Sequence, residues 1–185
     1  MDFRELIPEG YPWFIAGGYA AVPAMAEDID VWITVQDEKE ALAVKEIIRN
    51  RAIERSLDWV REDSRELTVY SQNLTLLTMK VMKVMPDTAS FSFPAFGAVR
   101  YLPVQFIVTT GDVHQVLKNF DISTHQVAIM PNGHIFTGPE WTNPLQPVEK
   151  LRENPNTAPR FARLTERYRK DCPKVEILKP EEIPF

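Results

Sequence analysis

The sequence predicts an α+β fold, and three local patterns carry this expectation. Residues 29–35 are rich in β-branched side chains that alternate in direction along an extended chain, which is typical of a strand. Residues 37–55 repeat apolar positions near the helical period behind an acidic N-terminus, which predicts the longest helix of the chain. Residues 131–133, Pro-Asn-Gly, separate two short β-rich runs and indicate a hairpin.

Shorter patterns predict the remaining elements. In chain order, these are a helix at 2–8, a strand at 13–16, a turn at 17–18, a helical turn at 19–25, a hairpin of strands at 67–70 and 74–84, a strand at 104–109, a helix at 112–119, strands at 125–130 and 134–136, and a helix at 160–171. A further helical stretch is expected at 147–152. We expect residues 1–185 to form a single domain, in which 138–185 is a Pro-rich connector followed by a C-terminal helix that packs on or near the core.

The composition limits the class of protein. With 44% hydrophobic and 25% charged residues, the chain has enough apolar side chain to bury a core. The single cysteine, Cys172, cannot form an internal disulfide, so we expect a cytoplasmic location, which for a viral protein is the host cytoplasm. We expect neither secretion nor a membrane span, because residues 1–9 lack a signal-peptide pattern and no run of about 18 apolar residues occurs. The net charge of -5 requires any contact with nucleic acid to come from a local basic patch.

The residues that indicate chemistry lie in two short segments, 15–19 and 27–32. Gly17 and Gly18 follow a strand, so the backbone can approach a phosphate and direct its amide hydrogens at it. Asp28 and Asp30 are two positions apart, so their carboxylates project to the same side of the next strand, where they can bind hard divalent cations. The nine residues from Tyr19 to Glu27 suffice for a helix that returns the chain to an adjacent strand. The spacing therefore predicts that a phosphate-binding turn and a metal-binding pair meet at one edge of a sheet.

This combination of a hydrophobic residue, Gly-Gly, a short gap and Asp-hydrophobic-Asp resembles the polymerase beta nucleotidyltransferase superfamily. The resemblance implies a palm-like mixed β-sheet flanked by helices, with magnesium (or manganese) held by Asp28 and Asp30 and a nucleoside triphosphate seated at Gly17, Gly18 and Tyr19. It also implies transfer of a nucleotidyl group to a hydroxyl on a nucleic acid, a protein or a small molecule. Residues 119–128 and 160–169 resemble segments of small nucleotidyltransferase-like proteins of phages and large DNA viruses.

The sequence departs from the superfamily at one position. Members usually carry a third carboxylate on a later strand, and the matching strand here offers Gln105. An amide cannot act as a base or offset the charge of a cation. Asp121 and Asp112 are the candidate substitutes, and we rank Asp121 higher as a catalytic residue, although both lie beside a short helix where a carboxylate often serves as a cap.

The predicted C-terminal helix carries a basic face. Arg160, Arg163 and Arg167 share this face, and Arg160 or Arg163 could bind the triphosphate or an acceptor. The alternative is a solvated face balanced by neighbouring acidic residues. His114, His125 and His134 have no evident partner and are interpreted as structural or surface residues, and Trp32 is interpreted as a packing residue, as is the apolar stripe formed by Phe161, Leu164 and Tyr168.

Two hypotheses follow. The first is a metal-dependent nucleotidyltransferase that acts on a nucleoside triphosphate and an acceptor such as RNA or protein. The second is a catalytically inactive module of the same fold that binds a nucleotide or a protein partner. The fold alone does not separate them, because function resides in the site.

Overall fold

A computed structural model describes residues 3–55, 57–63, 75–83, 102–145 and 157–171, with the backbone alone described in 57–63 and 75–83. Within these ranges the strands form one seven-stranded sheet in the order β3-β4-β5-β2-β1-β6-β7. The strands are β1 (Trp13–Ala16), β2 (Ile29–Thr34), β3 (Leu57–Asp63), β4 (Thr75–Lys83), β5 (Val104–Thr109), β6 (Val127–Ile129) and β7 (Ile135–Thr137). The β2–β5 pair is parallel and the other neighbouring strands are antiparallel, so the sheet is mixed.

Helices cover both faces of this sheet. The α-helices are α1 (Gly18–Ala21), α2 (Glu38–Glu54), α3 (Val113–Lys118) and α4 (Thr157–Asp171), and short 3-10 helices occupy Phe3–Leu6, Pro23–Met25 and Ser123–His125. The apolar residues of α2 pack on one face of the sheet with Ile15, Val31 and Phe106, whereas those of α3 pack on the other face with Phe14 and Trp32. The predicted α+β architecture, a mixed sheet flanked by helices, is confirmed.

The two longest predicted features of the N-terminal half are present. The alternation in β2 sends Ile29, Val31 and Ile33 into the larger core cluster and Trp32 into the smaller one. Helix α2 begins after Asp37, whose carboxylate accepts a hydrogen bond of 2.9 Å from the Glu40 amide and so caps the helix.

The elements near the C-terminus follow the predictions with shifted boundaries. The β6–β7 hairpin turns through Gly133, whose φ of 86° is readily adopted by glycine. Helix α4 begins at Thr157 rather than Arg160, because Pro159 is tolerated in a first turn, where its missing N–H has no helical acceptor. Tyr168 of α4 is buried in the larger core cluster.

Other predictions differ from the structure or fall outside it. The helix expected at 2–8 is a 3-10 helix over Phe3–Leu6. Strand β3 was not predicted, because Leu57–Asp63 mixes apolar and charged residues and its strand is set by pairing with β4. The expected strand at 67–70 and helical stretch at 147–152 lie outside the described residues. Over the described ranges, no helix is long and apolar enough to span a membrane.

A pair of substitutions on α2 tests which face supports the sheet. We expect Ile48→Ala, at a fully buried position, to lower the free energy of unfolding by about 2–5 kcal/mol, because it leaves a cavity in the larger core cluster. Ile53→Ala on the same helix is the control, since Ile53 is 58% exposed and its loss should change stability by about 0.5 kcal/mol or less. Urea unfolding measures both, and equal losses would contradict the described packing of α2.

Candidate active site

A cavity of about 500 Å³ opens where the Gly17–Gly18 turn, the starts of β2 and β5, and helix α4 come together. This size is typical of pockets for small organic ligands. Carboxylates, arginines and aromatic side chains all contribute to its wall. The lining residues are Gly17, Gly18, Val22, Met25, Ala26, Glu27, Asp28, Asp30, Trp32, Gln105, Ile107, Phe120, His125, Arg160, Arg163, Leu164, Arg167 and Tyr168.

The parallel pairing of β2 and β5 sets the polar floor of the cavity. Asp30 and Gln105 are Cα partners in this pairing, so their side chains project from adjacent strands on the same face. Asp28 lies just before β2, and all three residues line the cavity and are partly exposed. Two carboxylates and one amide oxygen form the kind of all-oxygen donor set that suits magnesium or manganese. In the part of the chain that the structure describes, no group of three or more His, Cys, Asp or Glu residues could hold a metal ion.

Gly17 brings the turn against the Asp30 carboxylate. Its φ is 94°, and a Cβ placed on it would lie 3.3 Å from Asp30 Oδ2 and 3.6 Å from a ring carbon of Phe120. Helix α1, which follows, has only four residues, so an anion at this turn would depend on local backbone amides rather than on a long helix dipole. The structure therefore places the glycine turn and one of the two predicted metal-binding carboxylates in direct proximity.

Tyr19 takes a different position from the rest of the turn. Its side chain is 7% exposed and belongs to the larger core cluster on the opposite face of the sheet, where burial raises its pKa. It is not one of the residues that line the cavity. The structure therefore does not bring the Tyr19 side chain to the cavity, where a nucleotide contact was expected.

Asp121 is held in an internal ion pair. Its carboxylate is 1% exposed, accepts a hydrogen bond of 2.8 Å from Thr157 Oγ1, and lies 3.1 Å from Arg160 Nη1. It does not line the cavity that Asp28 and Asp30 share. The structure thus places the expected substitute for the third carboxylate behind Arg160, where it anchors the start of α4.

His125 extends this buried network to the cavity wall. A guanidinium can only donate, so the contact of 3.3 Å from Arg160 to His125 Nδ1 requires a lone pair on Nδ1 and a proton on Nε2. Nε2–H then donates to the Tyr168 hydroxyl at 2.9 Å. Burial, reinforced by the positive charge of Arg160, lowers the His125 pKa from 6.5 to about 3, so the ring is neutral.

The three arginines on one face of α4 all reach the cavity. Arg160 contacts Asp121 and His125, and Arg167 donates to Glu27 Oε1 at 2.9 Å and to the Met25 carbonyl. Arg163 lies between them on the helix and is exposed. The predicted shared face is present, and it borders the cavity.

Sequence reasoning missed several lining residues. His125 was interpreted as a residue without a partner, and Tyr168 as a core residue, which describes its burial but not its hydroxyl contact with His125. Glu27 and Phe120 were not considered as site residues. No local spacing signals these roles, because they depend on contacts between residues far apart in sequence.

Comparisons with known proteins find similarity in structure alone. No family model matches the chain, and neither does any curated protein. One similar solved structure is a CCA-adding enzyme with CTP, which has a TM-score of 0.40 and is 14% identical over 71% of this chain. Another is a CCA-adding enzyme of Thermotoga maritima complexed with tRNA, which has a TM-score of 0.40 and is 16% identical over 73% of this chain. The chain spans 27% and 28% of those enzymes. Any assignment of function therefore rests on the residues of the cavity.

The close approach of Gly17 to Asp30 can be tested with two alanine substitutions. We expect Gly17→Ala to lower the free energy of unfolding by about 1–3 kcal/mol, because a positive φ is strained for alanine and its Cβ crowds Asp30. Gly18→Ala is the matched control, since its φ is not positive and its Cβ would meet nothing within 4 Å. It should leave stability unchanged or raise it by about 0.4–1 kcal/mol. Equal effects in urea unfolding would contradict the described turn.

The neutral state of His125 predicts a pH dependence of stability. Its pKa is about 3 in the folded protein and 6.5 as the ordinary value, so between these values the unfolded chain binds the extra proton. The free energy of unfolding should therefore fall as pH drops through this window, by up to about 1.4 kcal/mol per pH unit from this group.

Urea unfolding at several pH values checks the slope. His125→Gln should flatten it, whereas His134→Gln, at an exposed position, should not. Slopes are compared because the loss of buried hydrogen bonds lowers stability at every pH. A wild-type slope equal to that of His125→Gln would show that His125 does not titrate as stated.

Proposed function

We propose that this chain is a nucleotidyltransferase of the polymerase beta type, which transfers a nucleotidyl group from a nucleoside triphosphate to a hydroxyl acceptor. The observation that carries the proposal is the approach of Gly17 to the Asp30 carboxylate inside a cavity that Asp28 also lines. A bare backbone turn beside two acidic side chains suits a polyphosphate and its cations together.

Asp28 and Asp30 are the residues that would hold magnesium or manganese, with the Gln105 amide oxygen as a weaker neutral neighbour. A bound divalent cation would neutralise charge on the phosphates and help to align the attacking hydroxyl. The chain itself supplies the backbone amides of Gly17 and Gly18 for phosphate oxygens, and arginine donors on α4 for further negative charge.

The proposed reaction forms one phosphorus–oxygen bond and breaks another. The acceptor oxygen bonds to the α-phosphorus, the bond to the leaving pyrophosphate breaks, and the acceptor proton passes to Asp28, Asp30 or water. Gln105 cannot accept that proton. The proposed acceptor is a hydroxyl on RNA or protein. We also propose that the chain forms one domain, that it is related to the small nucleotidyltransferase-like proteins of phages and large DNA viruses, and that it acts in the cytoplasm.

A second candidate function is a nucleotide-binding module without turnover. The observation that favours it is the register of the sheet, in which Gln105 is the direct partner of Asp30. An amide at that place leaves the cations with one negative charge fewer than a third carboxylate would provide. Nucleotide binding is then retained while the transition state gains less stabilisation.

The transferase proposal is tested by pyrophosphate release. We expect release from labelled nucleoside triphosphates in the presence of magnesium or manganese and mixed RNA and protein acceptors. Asp30→Asn should reduce it about 100-fold or more, because a change of several kcal/mol in charge stabilisation is expected at a metal-binding carboxylate.

Asp37→Asn is the matched control for this experiment. It makes the same chemical change at the N-cap of α2, where asparagine caps equally well and no cavity residue is altered. Equal activity of Asp30→Asn and Asp37→Asn would reject the proposed role of Asp30. A wild type that binds the triphosphate with metal but releases no pyrophosphate, together with a gain of release in Gln105→Asp, would identify the inactive module instead.

A further inference from the structure

The cavity face of α4 presents three guanidinium groups that differ in what they already bind. Arg160, Arg163 and Arg167 follow one another at helical spacing and all line the cavity. A guanidinium whose donors are committed within the protein cannot bind a ligand without breaking those contacts. The contacts of each arginine therefore separate structural residues from a ligand-binding residue.

Arg160 is committed to a buried carboxylate. Its side chain is 23% exposed, whereas that of Asp121 is 1% exposed, and the same guanidinium donates to His125 Nδ1. Withdrawal of Arg160 toward a ligand would leave the charge of Asp121 buried without its guanidinium partner, although the Thr157 hydroxyl still donates to it, and this is strongly unfavourable. Arg160 is therefore a positioning residue that holds α4 against the 3-10 helix containing His125.

Arg167, at the other end of the cavity face of α4, also makes contacts within the protein. It donates to Glu27 Oε1 at 2.9 Å and to the backbone carbonyl of Met25. Glu27 is 80% exposed, so this ion pair alone is weak. The added carbonyl contact nevertheless fixes the guanidinium beside the segment that leads into Asp28. Arg167 thus holds α4 against the approach to β2.

Arg163 lies between these two anchored residues and has different surroundings. It is exposed and lines the cavity. Among the residues in the described ranges, it has no hydrogen-bond or ion-pair partner. Its planar fork of donors matches two oxygens of a phosphoryl group. Because the Arg163 side chain is exposed, it can bind a ligand without leaving a buried charge behind.

We infer that Arg163 binds a phosphoryl group that enters the cavity, while Arg160 and Arg167 hold α4 in the position that presents it. The identity of the ligand as a phosphate compound rests on the proposed function, whereas the assignment of Arg163 rests on the contacts of α4. Two sources carry the same chemistry: the triphosphate of a nucleotide and the phosphodiester backbone of an RNA acceptor. The test has one arm for each source.

The experiment measures binding of inorganic pyrophosphate without divalent cations and, separately, of a single-stranded RNA oligomer. Four proteins are compared: the wild type, Arg163→Gln, Arg163→Lys and Arg169→Gln. Arg169 is an exposed arginine of the same helix that does not line the cavity, so its substitution makes the same charge change outside the site. Thermal unfolding confirms that the exposed substitutions leave the fold intact.

We expect Arg163→Gln to weaken pyrophosphate binding about tenfold or more, because a charge-assisted bidentate contact is lost. Arg169→Gln should bind pyrophosphate as tightly as the wild type. The affinity of Arg163→Lys should lie between those of the wild type and Arg163→Gln, since lysine keeps the charge but lacks the two parallel N–H donors. If only RNA binding weakens, with the salt slope of its affinity reduced by about 0.7, the phosphoryl group is that of the acceptor.

The inference is overturned if Arg163→Gln behaves like Arg169→Gln with both probes, or if the wild type binds neither. These outcomes are distinct from failure of the proposed transferase. Absence of pyrophosphate release from triphosphates, with pyrophosphate binding still dependent on Arg163, would reject the transferase and leave the anion site standing. Normal release of pyrophosphate from triphosphates, with no effect of Arg163→Gln on the binding of either probe, would reject the role of Arg163 and leave the transferase proposal standing.

Discussion

The site depends on one close approach, that of the Gly17 backbone to the Asp30 carboxylate. The sheet order makes it possible, because β2 lies between β5 and β1. Ile15 of β1 is the Cα partner of Val31, so the turn that ends β1 arrives beside the start of β2. On the other side, the parallel register brings Gln105 next to Asp30. A side chain at Gly17 would meet Asp30 Oδ2 at 3.3 Å, and its φ of 94° is strained for other residues, so glycine is the residue that keeps this arrangement open.

The parts of this arrangement that depend on local periodicity could be predicted from the sequence. Alternation in β2 predicted that Asp30 and Trp32 share a face, and Trp32 indeed packs in the smaller cluster beside the cavity, where it stacks on Phe14 with ring centroids 6.5 Å apart. The Gly-Gly turn and the Asp-x-Asp pair were expected to meet, and Gly17 and Asp30 do so because a short α1 and a 3-10 helix return the chain to the adjacent strand. Strand β3 was not predicted because its charged residues do not alternate regularly with apolar ones. It is a strand because it pairs with β4, not because of its own sequence pattern.

The parts that depend on burial could not be predicted in this way. Asp121 looked like a cap or a spare carboxylate, since nothing in its neighbourhood indicates that Thr157 and Arg160, 36 and 39 residues away, will enclose it. His125 looked solitary for the same reason, because its partner Tyr168 lies 43 residues further along the chain. The charge of a residue can be read from the sequence. Whether that charge is paired inside the protein or remains exposed to a ligand depends on desolvation, which only the packed structure determines.

Desolvation also explains how α4 can be held in place by one arginine and still have another arginine exposed to a ligand. The ion pair between the partly exposed Arg160 and the buried Asp121 need not add net stability, but breaking it would leave the Asp121 charge in an environment that cannot solvate it. A protonated His125 would place a third charge in this network beside the Arg160 guanidinium, and the low pKa of His125 prevents this while leaving a lone pair for Arg160 to use. Arg163 is exposed, so its guanidinium would be rehydrated at little cost in free energy after the proposed phosphate leaves, and α4 would not have to move.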